Sequence, residues 1–189
     1  MSVDTDIKLC LHTLNTGGLI LYPTDTIWGI GCDATNTAAI DKIYQLKKRS
    51  DKKSLVILVA DEEAISSYVT QTNLSIFDYI KGLNKPTTVI YEGPRGLPPN
   101  LIAGDNTIAI RIVKDDFCQQ LIKRFGRPIV STSANISGYL SPVNFMDIDV
   151  VIKDGVDYVV QHRQDETMHC SPSTIIKGNA DGSFIIVRA

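Results

Sequence analysis

Two short stretches of this sequence carry side chains suited to holding a polyanion. In the first, Lys47, Lys48, Arg49, Lys52 and Lys53 place five cations within seven positions. A compact ammonium and a planar guanidinium fork together neutralise and orient phosphate oxygens. In the second, Ser131-Thr132-Ser133-Ala134-Asn135 offers hydroxyls and one amide that donate to phosphate or carboxylate oxygens. No nearby His or Asp turns one of these serines into an obvious nucleophile, so the run is expected to orient a ligand rather than attack one. Taken alone, the basic run also fits a solvated helix end, and the hydroxyl run a helix cap or turn.

A third stretch, Tyr22-Pro23-Thr24-Asp25-Thr26-Ile27-Trp28-Gly29-Ile30-Gly31, follows an apolar strand and joins hydroxyls to glycines. Such a loop at a strand's carboxyl end can cradle a small polar ligand. It has no Gly-Lys-Ser/Thr and so is not a Walker loop. The same pattern fits an ordinary βα turn, with Trp28 in the core.

The elements that must position these residues read as α/β. Short β-branched runs at residues 19–22, 55–59, 87–91, 108–111, 129–131, 157–160, 173–176 and 184–187 predict strands. Helical periodicity predicts helices at 6–15, 37–47, 62–68, 75–83 and 116–125, the second capped by Asn36 and the last ended by Gly126. Alternation of the two types indicates an α/β fold. The stretch 92–106, with three prolines, reads as a mobile flap, and 161–171 as a solvated connection.

Periodicity also assigns faces. Ile40, Ile43, Tyr44 and Lys47 share one helical stripe, so Lys47 turns inward and Lys48 elsewhere. In the strand at 108–111, alternation sends Arg111 to the face opposite Ile108 and Ile110.

With 189 residues, 43% hydrophobic and 21% charged, the chain is expected to fold as one domain, 1–189. Its apolar runs fall far short of the ~20 residues a bilayer span needs, and its acidic start is unlike a secretory signal, which predicts a cytoplasmic protein with no membrane partner. A net charge of −2 gives no global pull toward nucleic acid. Cys10, Cys32, Cys118 and Cys170 are scattered and His169-Cys170 lacks a matching His spacing, so no protein metal site is expected.

Tyr22-Pro23-Thr24-Asp25-Thr26, Trp28-Gly29-Ile30-Gly31, Lys47-Lys48-Arg49, Ala109-Ile110-Arg111 and Ser131-Thr132-Ser133-Ala134-Asn135, in this order and spacing, resemble the YrdC family over nearly the whole chain. The resemblance implies an open, twisted, mixed sheet with flanking helices and a concave basic surface. It implies synthesis of threonylcarbamoyl-adenylate and pyrophosphate from L-threonine, bicarbonate and ATP, with Mg2+ carried by the ATP. The product would feed threonylcarbamoylation of the transfer RNA adenosine next to the anticodon, through downstream transferase proteins. The family's catalytic tetrad would fall on Lys47, Arg49, Ser133 and Asn135. Further nucleotide contacts would fall on Lys53, Thr107, Ser141 and Arg188, and threonine contacts on Thr26, Arg111, Ser131 and Ser173. A second reading is a non-catalytic module that binds double-stranded RNA or transfer RNA on the basic face. A third is a YciO-like paralogue without synthase activity, in which Ser133 and Asn135 would be expected to be lost.

Overall fold

The computed structural model describes residues 2–49, 55–70, 74–83, 85–167, 171–178 and 183–189. The chain opens with α1 (Val3–Asn15), which starts before the expected boundary because the Ser2 hydroxyl caps it by accepting from the Thr5 amide. β1 (Ile20–Tyr22) and β2 (Gly29–Gly31) flank the Thr24 to Thr26 turn. α2 (Thr37–Leu46) has the predicted Asn36 cap, whose side chain accepts from Ala39 N at 3.1 Å. β3 (Val56–Val59), the short α3 (Glu62–Ile65), α4 (Leu74–Lys81) and β4 (Thr87–Glu92) follow. β5 (Thr107–Ile112) leads into α5 (Asp116–Phe125), capped by Asp115 and ended by Gly126 in the left-handed region. β6 (Ile129–Ser133), α6 (Val150–Asp154), β7 (Tyr158–Val159), β8 (Thr174–Gly178) and β9 (Phe184–Arg188) complete the order.

Among the described residues the nine strands form one sheet in the order β7-β1-β2-β6-β3-β5-β4-β8-β9. The pairs β1–β7, β3–β5 and β4–β8 are parallel and the others antiparallel, so the sheet is mixed and open. Ile57 and Leu58 of β3, Ile108 and Ile110 of β5 and Ile129 and Val130 of β6 are almost wholly inaccessible. Burying each such side chain contributes about 1.5–3 kcal/mol, which makes this central trio the rigid floor of the molecule.

Several expectations change. The glycine-rich residues 29–31 form a strand rather than a turn, because a strand between β1 and β6 must come close to the Tyr22 ring. A Cβ at Gly31 would lie 2.7 Å from Tyr22 Cε1 and 2.8 Å from the Val130 carbonyl oxygen. The stretch expected to be a mobile flap is tied down: Tyr44 donates to the Asn100 carbonyl at 2.9 Å, Asn100 donates to Asp41 at 2.7 Å, and Leu101 is fully buried. α6 has no counterpart in the expected elements, since its five residues are too few to show a period. No helix among the described residues is long and apolar enough to cross a membrane.

Candidate active site

Strand registers gather the hydroxyl run, the glycine strand and Arg111. Ser133 pairs with Gly29, Ser131 with Val56, and Arg111 with Leu58 two residues further along β3. A Cβ at Gly29 would lie 3.0 Å from Ser131 Oγ, so glycine leaves that hydroxyl room. Ser173 arrives from the start of β8, its hydroxyl 2.8 Å from that of the buried Thr88. Arg188, in β9, donates from Nε and Nη2 to the Ser173 carbonyl at 3.2 and 2.8 Å.

These groups line a cavity of about 230 Å³. Its cations are Arg49, Arg111 and Arg188, its hydroxyls Ser131, Thr132, Ser133, Ser141 and Ser173, and no acidic side chain is among its described lining residues. Trp28 forms part of the wall and stacks at a tilt on Phe145, ring centroids 4.8 Å apart, which anchors the loop that carries Ser141. Arg49 reaches Thr132 Oγ1 at 3.4 Å, and burial lowers its pKa from the ordinary guanidinium value.

Arg111 lines the cavity, as strand alternation predicts. Its Nη2 lies 3.1 Å from Asp25 Oδ1, with both side chains less than a tenth exposed. The contact is an ion pair without hydrogen-bond alignment, and Arg111 Nε is buried with no partner among the described residues.

Lys47 is 1% exposed and lies behind the hydroxyl run, not in the cavity lining. Its Nζ donates to the carbonyls of Ser133 and Asn135, each at 2.5 Å, while its own carbonyl accepts from Ser137 N at 2.9 Å. Burial, then the neighbouring Arg49 charge, lowers its pKa to about 7. Lys48, with φ 48°, is exposed, so the two neighbours face as their helical spacing predicts.

Three other candidates also lie off this lining. Asn135 turns its amide to the carbonyls of Ile136 and Tyr139 and faces a separate groove. Thr26 hydrogen-bonds Thr24 at 2.9 Å and lines a smaller adjoining cavity with Arg163. Thr107 donates to Asp105 at 2.7 Å. Lys53 lies outside the described residues. Sequence reasoning missed Asp25 as the partner of Arg111. The one available signal, a carboxylate in a turn directly after a buried strand, does not name the cation it meets.

The family model Sua5/YciO/YrdC, described as "Telomere recombination", matches residues 12–189. The chain belongs to this family. Among Sua5/YciO/YrdC relatives, the threonylcarbamoyl-AMP synthase of Methylococcus capsulatus is 34% identical over 134 residues, 70% of this chain and 72% of that protein. The enzyme of the same name from Pseudoalteromonas translucida is 28% identical over 180 residues, 93% of this chain and 94% of its own length. The fold matches P. abyssi Sua5 complexed with L-threonine, with a TM-score of 0.84 at 22% identity, covering 96% of this chain but only 53% of that one. The chain thus spans about half the length of that Sua5. Against E. coli YciO the TM-score is 0.83 at 22% identity, covering 99% and 89% of the two chains.

Proposed function

We propose that this protein is a threonylcarbamoyl-AMP synthase, a nucleotidyltransferase that makes threonylcarbamoyl-adenylate and pyrophosphate from L-threonine, bicarbonate and ATP. The observation that carries the reading is the cavity's composition: three guanidinium groups and five hydroxyls around one space, with no carboxylate in the described lining. Such a lining suits an amino-acid carboxylate and a polyphosphate held side by side.

In this reading Arg111, with Ser131 and Ser173 nearby, grips the threonine carboxylate, and Arg49, Ser133, Ser141 and Arg188 face the nucleotide. The neutral threonine amine attacks the carbon of carbon dioxide derived from bicarbonate and loses a proton, forming a carbamate. A carbamate oxygen then attacks the α-phosphorus in line, and the bond to pyrophosphate breaks. Little covalent chemistry falls to the protein, so positioning and charge neutralisation do most of the work. Lys47 serves by fixing the Ser133 to Asn135 backbone, with Asn135 closing the loop against Tyr139. Thr26 contributes from the adjoining cavity, and Thr107 and Lys53 are assigned to the nucleotide. Magnesium enters with the ATP, held by its phosphate oxygens. The product then passes to transferase proteins that act on transfer RNA in the cytoplasm, and residues 1–189 act as one synthase domain.

Pyrophosphate release, with L-threonine and bicarbonate omitted in turn, tests the reading. Release should require both, with serine a poorer substrate for want of the methyl contact. Release indifferent to threonine would sink the proposal, and tight binding of double-stranded RNA with no turnover would favour a binding module.

A further inference from the structure

Residues 161–167 read in sequence as a solvated connection, yet they are fastened to the interior. Asp6 on α1, fully buried, accepts from the Gln161 and His162 amides at 3.0 Å each and from the Tyr158 hydroxyl at 2.5 Å. The next residue, Arg163, has φ 68°. That left-handed conformation is unfavourable for a residue with a Cβ and persists where surrounding contacts impose it.

The guanidinium supplies those contacts. Arg163 Nε donates to Glu166 at 2.6 Å, and Nη1 donates to Asp115 Oδ2 at 2.8 Å and to the Thr24 carbonyl at 3.3 Å. The other Asp115 oxygen caps α5 through the Cys118 amide at 2.8 Å, and the Cys118 thiol donates to the Pro23 carbonyl at 3.3 Å. The turn at residues 23–26 is therefore held to the start of α5 by two routes. Within the same turn, Asp25 Oδ1 stands 3.1 Å from Arg111 Nη2, and Asp25 Oδ2 accepts from the Lys114 amide at 3.3 Å. Arg111 is oriented by Asp25, and Asp25 by a turn whose neighbouring carbonyl Arg163 grips.

We propose that Arg163 is a positioning residue for the amino-acid half of the cavity, acting through Thr24 and Asp25 to hold the Arg111 guanidinium in place. The proposal rests on the functional reading above and adds to it the source of carboxylate orientation. On the nucleotide side, Arg49 and Ser133 are held instead by Thr132 and Lys47, so loss of the brace separates the two ligands. An ion pair with only a general structural role would weaken both ligands alike or neither.

Two variants test this. Arg163→Gly removes the fork while relieving the backbone at φ 68°, and Arg163→Lys retains a charge facing Asp115. In ligand-free protein, hydrogen exchange at the Thr26 and Lys114 amides, bonded to Thr24 and Asp25, should quicken by about tenfold in Arg163→Gly, with β8 and β9 amides unchanged as the control for folding. Calorimetric titration should show L-threonine binding weakened by about tenfold and ATP binding changed by less than about twofold, with partial recovery in Arg163→Lys. Unchanged exchange at the two amides, or equal losses for both ligands, would overturn the proposal. Wild-type protein that took up no L-threonine would remove the proposed function instead, and exchange at Thr26 and Lys114 would then decide the brace alone.

Discussion

Lys47 Nζ lies 2.5 Å from the Ser133 carbonyl oxygen, so a buried cation from the end of α2 fixes the hydroxyl run at the end of β6. The residue pair joins the two polyanion-suited stretches of the sequence through the back of the loop, while Arg49 reaches its front.

Lys47→Ala and Arg49→Ala should each lower turnover by roughly tenfold to thousandfold, and Lys48→Ala should be nearly silent. The two damaging changes differ in stability. Removing Lys47 takes a shared donor from the Ser133 and Asn135 carbonyls; Ser133 O still accepts from the Asn135 amide at 2.9 Å, so the cost of about 1–3 kcal/mol falls on the Asn135 carbonyl. Thermal denaturation should therefore show Lys47→Ala several degrees below wild type and Arg49→Ala close to it. Equal turnover losses at all three positions would show a diffuse basic patch.

The lowered Lys47 pKa has a definite sign in pH experiments. The folded value, about 7, lies below the ordinary lysine value of 10.5, so between them the unfolded chain binds more protons than the native one. Stability gained from this group therefore rises with pH through that window, and below it the buried charge is borne in full. An arriving polyanion favours the ammonium form, so ATP binding near pH 8 should take up as much as about one proton. Titration calorimetry in two buffers of different ionisation enthalpy measures the uptake, and Lys47→Met should abolish it. Wild-type binding without uptake would mean that the nucleotide does not sense Lys47.

Arg111→Lys keeps the charge beside Asp25 but loses the fork. It should weaken L-threonine binding by about 1–3 kcal/mol while leaving ATP binding much less affected, whereas a purely structural ion pair would give ~0–1 kcal/mol. Separate titrations of each ligand distinguish the two. A variant that lost ATP affinity and kept threonine affinity would place Arg111 on the triphosphate.

Gly31→Ala should destabilise the fold by about 1–3 kcal/mol, because its methyl group would press on both the Tyr22 ring and the Val130 carbonyl at the centre of the β1–β2–β6 packing. Chemical denaturation should show a lower midpoint with an unchanged slope. A neutral result would mean that β2 shifts freely within the sheet.

The alternation of elements, the helix start at Asn36, the helix end at Gly126 and the opposite facing of Lys47 and Lys48 were legible in the chain because each depends on local periodicity or on a cap a few residues away. Arg111's face followed from the same rule. What the sequence could not determine was partnership between distant segments. That Lys47 would hold carbonyls rather than line the cavity, that Asp25 would meet Arg111, and that Arg163 would grip Thr24 all depend on strand order and register. The glycine run became a strand for the same reason: β1 and β6 flank it only after the sheet assembles. Side-chain types set what each residue could donate or accept; the tertiary packing chose the partner, since a buried polar group takes whichever complementary atom the fold brings within about 3 Å.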